Sequence, residues 1–175
     1  GIRNQQESGN WYLANVTSIK YVSDDNISYE MTVSEAGVAT LYLPYNTTLP
    51  DADFFVAATV NDVVEGTAIL REVHDIIPAK TGVIIFANAG KYTLPLSATS
   101  STEQCKSMLH GVLENTSITT LEELEGKSIY VLSRGVKEYT GFKKAGGSVK
   151  SIPAFRAYLP YDTSSDANLI TFSFD

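Results

Sequence analysis

The chain is poor in the residues from which most catalytic and metal sites are built. It carries one cysteine, two histidines and one tryptophan in 175 residues. The single thiol, Cys105, can close no disulfide within the chain, so the redox compartment stays open. A lone thiol is read first as a small buried apolar group. No Cys/His spacing suits zinc. No Gly-x-Ser-x-Gly elbow occurs, and no phosphate-loop pattern surrounds Gly146-Gly147. Cations are scarce as well: 13 Lys and Arg stand against 20 Asp and Glu, a net charge of -7. That balance argues against nucleic acid, whose binding rests on cations neutralising phosphates, and against an anionic membrane surface. Long apolar runs are missing too. The longest, "GVIIFA" from Gly82, is far too short to span a bilayer, so no membrane insertion is expected. The chain opens at Gly1, as a trimmed or processed product would, and the missing leader says nothing about compartment.

What remains is a hydroxyl- and aromatic-rich sequence of one-domain size. A chain this long buries about 70% of its unfolded surface, so it needs no metal or disulfide to fold. Apolar residues recur mostly at period two. Ile27, Tyr29, Met31 and Val33 alternate with polar neighbours, and so do Ile170, Phe172 and Phe174. "DFFVAATV", "TAILREV", "KYTLPL", "SIYVLS" and "EYTGFK" are further β-rich runs, separated by turn formers such as Asn61-Asp62, Glu65-Gly66 and Asn88-Ala89-Gly90. These features predict an all-β fold, an antiparallel β-sandwich or jelly-roll-like domain with one or two short helical turns. Residues 1–175 are read as one domain, with residues 1–10 a flexible N-terminal segment and 100–175 an elaborated second half.

All six prolines follow Leu or Ile. Proline brings no ladder N–H and pushes its predecessor toward extended backbone, so such a pair ends a strand while keeping the aliphatic side chain inside. In the two Tyr-Leu-Pro-Tyr copies, Leu43 and Leu159 are expected to be the last core residues, with Pro44 and Pro160 turning the chain out. Ile-Pro-Ala also occurs twice, at Pro78 and Pro153, and suggests related hairpins in the two halves. Their element order does not match in the sequence, which argues against a simple tandem duplication.

Two segments carry helical signals. Cys105, Met108, Leu109, Val112 and Leu113 have helical spacing, with Ser100 and Glu103 as a capping box; Gly111 weakens that reading. Thr120 and Glu123 form a second capping box, with Gly126 as terminator, for a one-turn helix.

Taken in order, "AGVATLYLPY", "IIPAKTGVIIFANAGKYTL", "IYVLSRG", "TGFKKAGG" and "IPAFRAYLPY" resemble adhesin-like or uncharacterised secreted β-sandwich modules of gut anaerobic bacteria, often C-terminal in larger surface proteins. The resemblance runs from about Ile27 to Asp175. It implies an extracellular or cell-surface accessory module, recognising a glycan or another surface protein, with no catalytic residues to carry over. It also favours a strand over a helix near Met108–Leu113.

Site chemistry follows the same lines. Sugar C–H faces stack on aromatic rings while their hydroxyls meet carboxylates and amides. Tyr45 and Tyr161 follow strand-ending prolines and could stand at loop mouths beside Asn46, Thr47, Asp162 and Thr163; Trp11 and Tyr12 form a second aromatic pair. The bland alternative is that these rings cover the sandwich ends. A dyad of Cys105 with His110 or His74 is disfavoured, because a five-residue separation puts Cys105 and His110 on different faces of a helix or strand. Glu122, Glu123 and Glu125, like Asp51 and Asp53, read as solvated acids rather than a glycosidase pair. No cofactor and no metal are expected, although loop oxygens at Asp24-Asp25-Asn26 and Asp162–Asn168 could supply calcium ligands without matching an EF-hand. Asn15, Asn26, Asn46 and Asn115 each begin an Asn-x-Ser/Thr triplet, a chance outcome in so hydroxyl-rich a chain. The leading expectation is therefore a non-catalytic adhesion or glycan-binding module. A ligand-free structural or secretion-associated module is the alternative, and a hydrolase a distant third.

Overall fold

The computed structural model describes residues 19–23, 26–97, 105–133, 141–146, 149–162 and 169–175. The first half comprises β1 (Ile19–Ser23), β2 (Asn26–Val33), β3 (Val38–Leu41), β4 (Asn46–Thr48), β5 (Phe55–Val64), β6 (Thr67–Val73), β7 (Ile76–Ile77), β8 (Val83–Ala87) and β9 (Gly90–Ser97). The second comprises β10 (His110–Gly111), β11 (Thr116–Ser117), a helix α1 (Ile118–Glu125), β12 (Ser128–Ser133), β13 (Gly141–Lys144), β14 (Ser151–Ile152), β15 (Ala157–Tyr161) and β16 (Leu169–Phe174). The fold is all-β, as the period-two pattern predicts. No helix among the described residues is long and apolar enough to cross a membrane.

Three sheets result. One has the order β1-β2-β9-β4-β7, the second β10-β15-β12-β13-β16-β6-β5-β8-β3, and the third pairs β11 with β14. The strands of "GVIIFA" and its neighbours are covered on both faces. Val83, Ile85 and Ala87 of β8 join Ile27, Tyr29, Met31, Val33, Leu94 and Leu96 in a sandwich core between the first two sheets. Ile84 and Phe86 face the other way, into a second core. A strand buried on both sides must read as continuous apolar residues, which explains why that run is unbroken.

The second core shows that the nine-stranded sheet curls on itself. Val38, Ala58, Val60, Ala68, Leu70, Tyr130, Phe142, Leu159 and Ile170, drawn from β3, β5, β6, β12, β13, β15 and β16, form one cluster with Ile84. Phe86 of β8 and Phe172 of β16 are separated by β5 and β6 in the sheet, yet their rings stand 6.0 Å apart, edge to face. The two ends also meet: the Ala157 N–H of β15 donates to the Thr40 hydroxyl of β3 at 3.1 Å. The result is a sandwich whose larger sheet is rolled toward a barrel.

The pairings reveal a repeat. In the first half β8 lies between β3 and β5, β6 pairs with β5, and β4 pairs with β7. In the second half β15 lies between β10 and β12, β13 pairs with β12, and β11 pairs with β14. The helix α1 is an insertion between β11 and β12. Both Ile-Pro-Ala stretches make the same turn, with Lys80 at φ 57 entering β8 and Phe155 at φ 66 entering β15. Element order therefore matches between β3–β8 and β10–β15, contrary to the sequence reading, while β1, β2, β9 and β16 have no counterpart in the pairings. β10 and β11 are only two residues each and α1 breaks the alignment. β16 joins the halves, antiparallel to β13 and parallel to β6, the one departure from antiparallel pairing among the described residues.

Three local expectations need correction. The Tyr-Leu-Pro-Tyr copies are not equivalent. The first carries the chain from β3 in one sheet to β4 in the other, with Leu43 buried. The second lies within β15, where Pro160 is buried opposite Ile129 and does not turn the chain out. β10 pairs only as far as Tyr158, so Pro160 stands where the ladder on that flank has ended and a missing N–H is tolerated. Over Cys105–Leu113 the helical spacing forms no helix, and the strand that the resemblance favours forms only at β10, where Gly111 presses against Tyr42 and any Cβ would overlap the ring. Finally, α1 is capped by Ser117, whose hydroxyl accepts the Thr120 N–H at 3.2 Å, three residues before the expected cap. Gly126 terminates it as predicted, at φ 65.

Candidate functional site

The rolled sheet leaves an open aromatic cleft of about 640 Å³ at one end, within the range of ordinary ligand sites. Its walls come from distant parts of the chain. Phe86 closes the end of β8, Phe172 lies on β16, and Phe54 precedes β5. Phe142 supports Phe172 from beneath, with centroids 5.5 Å apart, and Phe174 tilts against Phe86 at 5.6 Å. The rings are thus held by edge-to-face packing, while Phe54 and Phe174 remain 45% and 51% exposed.

The polar rim is supplied by two turns. Between β2 and β3, Gly37 at φ 73 donates its N–H to Ser34 O at 2.9 Å, and its own carbonyl accepts the Ala87 N–H at 3.1 Å. This sets Glu35 at the cleft edge. Between β8 and β9, Tyr92 donates its hydroxyl to Asn88 O at 2.6 Å and fixes the turn that presents Asn88. Among the described residues, no Lys, Arg or His lines the cleft. Such a surface suits an uncharged ligand with apolar faces and hydroxyl donors; it offers no cation to a phosphate or carboxylate.

A second cluster ties α1 to the rolled sheet. Glu125 Oε2, in the last turn of α1, lies 2.5 Å from His110 Nδ1 and accepts the Tyr158 hydroxyl at 2.7 Å. The Glu125 side chain is only 18% exposed. Burial, and then the bond to Glu125, push the Tyr158 hydroxyl far above the usual tyrosine range. Glu125 was expected to be a solvated acid, so this partnership is one the sequence did not disclose.

The residues singled out in the sequence fall as follows. Tyr45 is half-buried against the sandwich core. Asn46 is buried, and its side-chain oxygen accepts the Ala79 N–H at 2.8 Å, which braces the first Ile-Pro-Ala turn. Tyr161 packs edge to face on Tyr130, 6.2 Å away, against the other core. Asp162 is exposed. Tyr45 and Tyr161 thus serve different cores and do not form a shared site. Cys105 packs against the sandwich core while His110 is held by Glu125, so those two have different partners. His74 lies 3.6 Å from Glu72 on the surface. Trp11, Tyr12, Asn15, Asp24, Asp25, Ser100, Glu103 and residues 163–168 lie outside the described residues. The sequence signal that pointed to the cleft was the alternation of Phe172 and Phe174; nothing local linked it to Phe54 or Phe86.

Comparison with protein-family models, with curated proteins and with solved structures finds no match to this chain. The geometry above carries the functional reading.

Proposed function

We propose that the chain is a non-catalytic module that binds a neutral glycan in the aromatic cleft, on an extracellular or cell-surface protein of adhesive type. One observation carries this: exposed Phe54 stands beside the braced Phe86–Phe172 wall, with Glu35 and Asn88 at the rim and no cation among the lining residues. Ring faces stack on sugar C–H surfaces, and the carboxylate and amide accept sugar hydroxyls. The sequence motifs that resemble secreted sandwich modules are the ground for the extracellular placement.

A panel of neutral and acidic glycans, with Phe54→Ala as control, tests the reading. Binding to neutral glycans that Phe54→Ala weakens by about tenfold or more, equivalent to about 1.4 kcal/mol, is the expected result. A ligand-free structural module gives no binding above background. Binding indifferent to Phe54→Ala removes the cleft assignment.

A further inference from the structure

The place where the rolled sheet fails to close with a continuous backbone ladder holds a second recess, of about 190 Å³, which shares no lining residue with the aromatic cleft. Its walls are Ala39 and Thr40 of β3, Val131 and Leu132 of β12, and Ile152 and Ala157 on either side of the second Ile-Pro-Ala turn. All but Thr40 are apolar. Val149 stands at the mouth.

Two residues that carry donors line this apolar space. Arg156 lines it, and its guanidinium makes one long hydrogen bond, Nη1 to the Tyr29 hydroxyl at 3.5 Å. None of the ion pairs among the described residues uses Arg156, although acids outnumber bases 20 to 13 in the chain. A partly buried arginine whose guanidinium has four further N–H donors and no carboxylate partner among the described residues is an unusual arrangement, since buried charge is normally paired. Thr40 is 4% exposed. Its oxygen accepts from Ala157, which leaves its proton uncommitted among the described residues. Ser151, also at the recess, already donates to Asn115 Oδ1 at 3.2 Å.

We infer that this recess binds a small monocarboxylate with a short aliphatic tail, its carboxylate on Arg156 and the Thr40 hydroxyl and its tail against Ala39, Leu132 and Ile152. A guanidinium matches a carboxylate with two parallel N–H bonds. The volume equals about six waters at ~30 Å³ each, which suits a tail of a few carbons and excludes a sugar chain or a peptide segment. The recess requires an anion and the aromatic cleft an uncharged ligand, so the two sites take different ligands and stand or fall separately.

The test is amide NMR titration of the intact chain with 3-methylbutanoate, and with 3-methylbutanamide as an uncharged isostere. Saturable shifts at Thr40, Ser151, Arg156 and Ala157, with a millimolar Kd and no response to the amide, are expected. Arg156→Gln should weaken binding about tenfold or more. Val149→Trp, at a half-exposed position, should block the mouth without touching Arg156, and it decides the matter if Arg156→Gln disturbs Tyr29. Phe54→Ala should leave the titration unchanged. No saturable shift, equal response to the amide, or binding that survives both Arg156→Gln and Val149→Trp overturns the inference.

Discussion

The Thr40 hydroxyl accepts the backbone N–H of Ala157 at 3.1 Å, and through this bond the first and last parts of the rolled sheet are joined. β3 and β15 belong to the two related halves, so the repeat closes on itself through this side-chain bond and one backbone bond, from the Tyr42 N–H to Phe155 O at 3.0 Å, rather than through a continuous ladder.

Replacing Thr40 by Val keeps the shape and leaves a buried N–H without an acceptor. The expected cost is about 1–3 kcal/mol, the desolvation penalty of an unpaired donor. Thr40→Ser should recover most of it. Urea unfolding midpoints of the three proteins check this; equal midpoints for Thr40→Val and wild type would show that the join contributes nothing.

Alkaline pH should weaken the fold through Tyr158. Its hydroxyl is held protonated far above the ordinary range by burial and by the bond to Glu125. Unfolding returns it to about 10, so above that pH the unfolded chain releases a proton that the folded chain keeps. Stability from this group is fully present below about pH 10 and declines as pH rises further. Tyr42 and Tyr130 are also raised by burial, so Tyr158→Phe should flatten the decline without abolishing it. Unfolding midpoints measured across the alkaline range for both proteins give the two slopes; parallel slopes contradict the account.

Gly141 opens β13 with its Cα against the carbonyl of Ile170, and an added Cβ would overlap that oxygen. Gly141→Ala should push β13 from β16 and cost about 1–3 kcal/mol, as overpacking does. Gly146, with nothing close to its would-be Cβ, serves as the comparison, and its Ala variant should change stability by less than about 0.5 kcal/mol. Thermal melts of the pair discriminate.

Phe54→Ala should separate binding from folding. The ring is 45% exposed, so stability should move within about 0.5 kcal/mol while glycan affinity falls. Phe172→Ala should lose stability as well as affinity, because that partly buried ring packs against Phe142 and Phe86, and its truncation should cost about 1–3 kcal/mol. Calorimetric unfolding beside glycan binding for both variants checks the contrast; similar stability losses would place Phe54 in the core.

Much of the architecture was readable from pattern alone. Ile27, Tyr29, Met31 and Val33 are all buried on one face of β2, as strict alternation requires. Gly126 marked the end of α1 because a left-handed residue there favours glycine. The start was less legible: Ser117 and Thr120 are both hydroxyl residues at capping spacing, and their oxygens lie 2.8 Å apart. The curl of the large sheet left no local trace, since inward and outward residues alternate alike in flat and rolled sheets. The candidate site suffered most from this. Tyr45 and Asn46 looked like a loop mouth, yet Asn46 is spent on the Ala79 N–H. Phe54, Phe86 and Phe172 meet only because the sheet rolls, and no spacing in the sequence encodes that meeting.

The central position of β16 bears on how the molecule comes into being. Residues 169–174 are wedged between β13 and β6, so the strand needed to unite the halves is made after the other fifteen described strands. During synthesis the early sandwich can form from β2 to β9, while the later half waits with two unpaired edges exposed to the cell. Nascent chains stalled just short of Leu169 should therefore be the ones most in need of a chaperone.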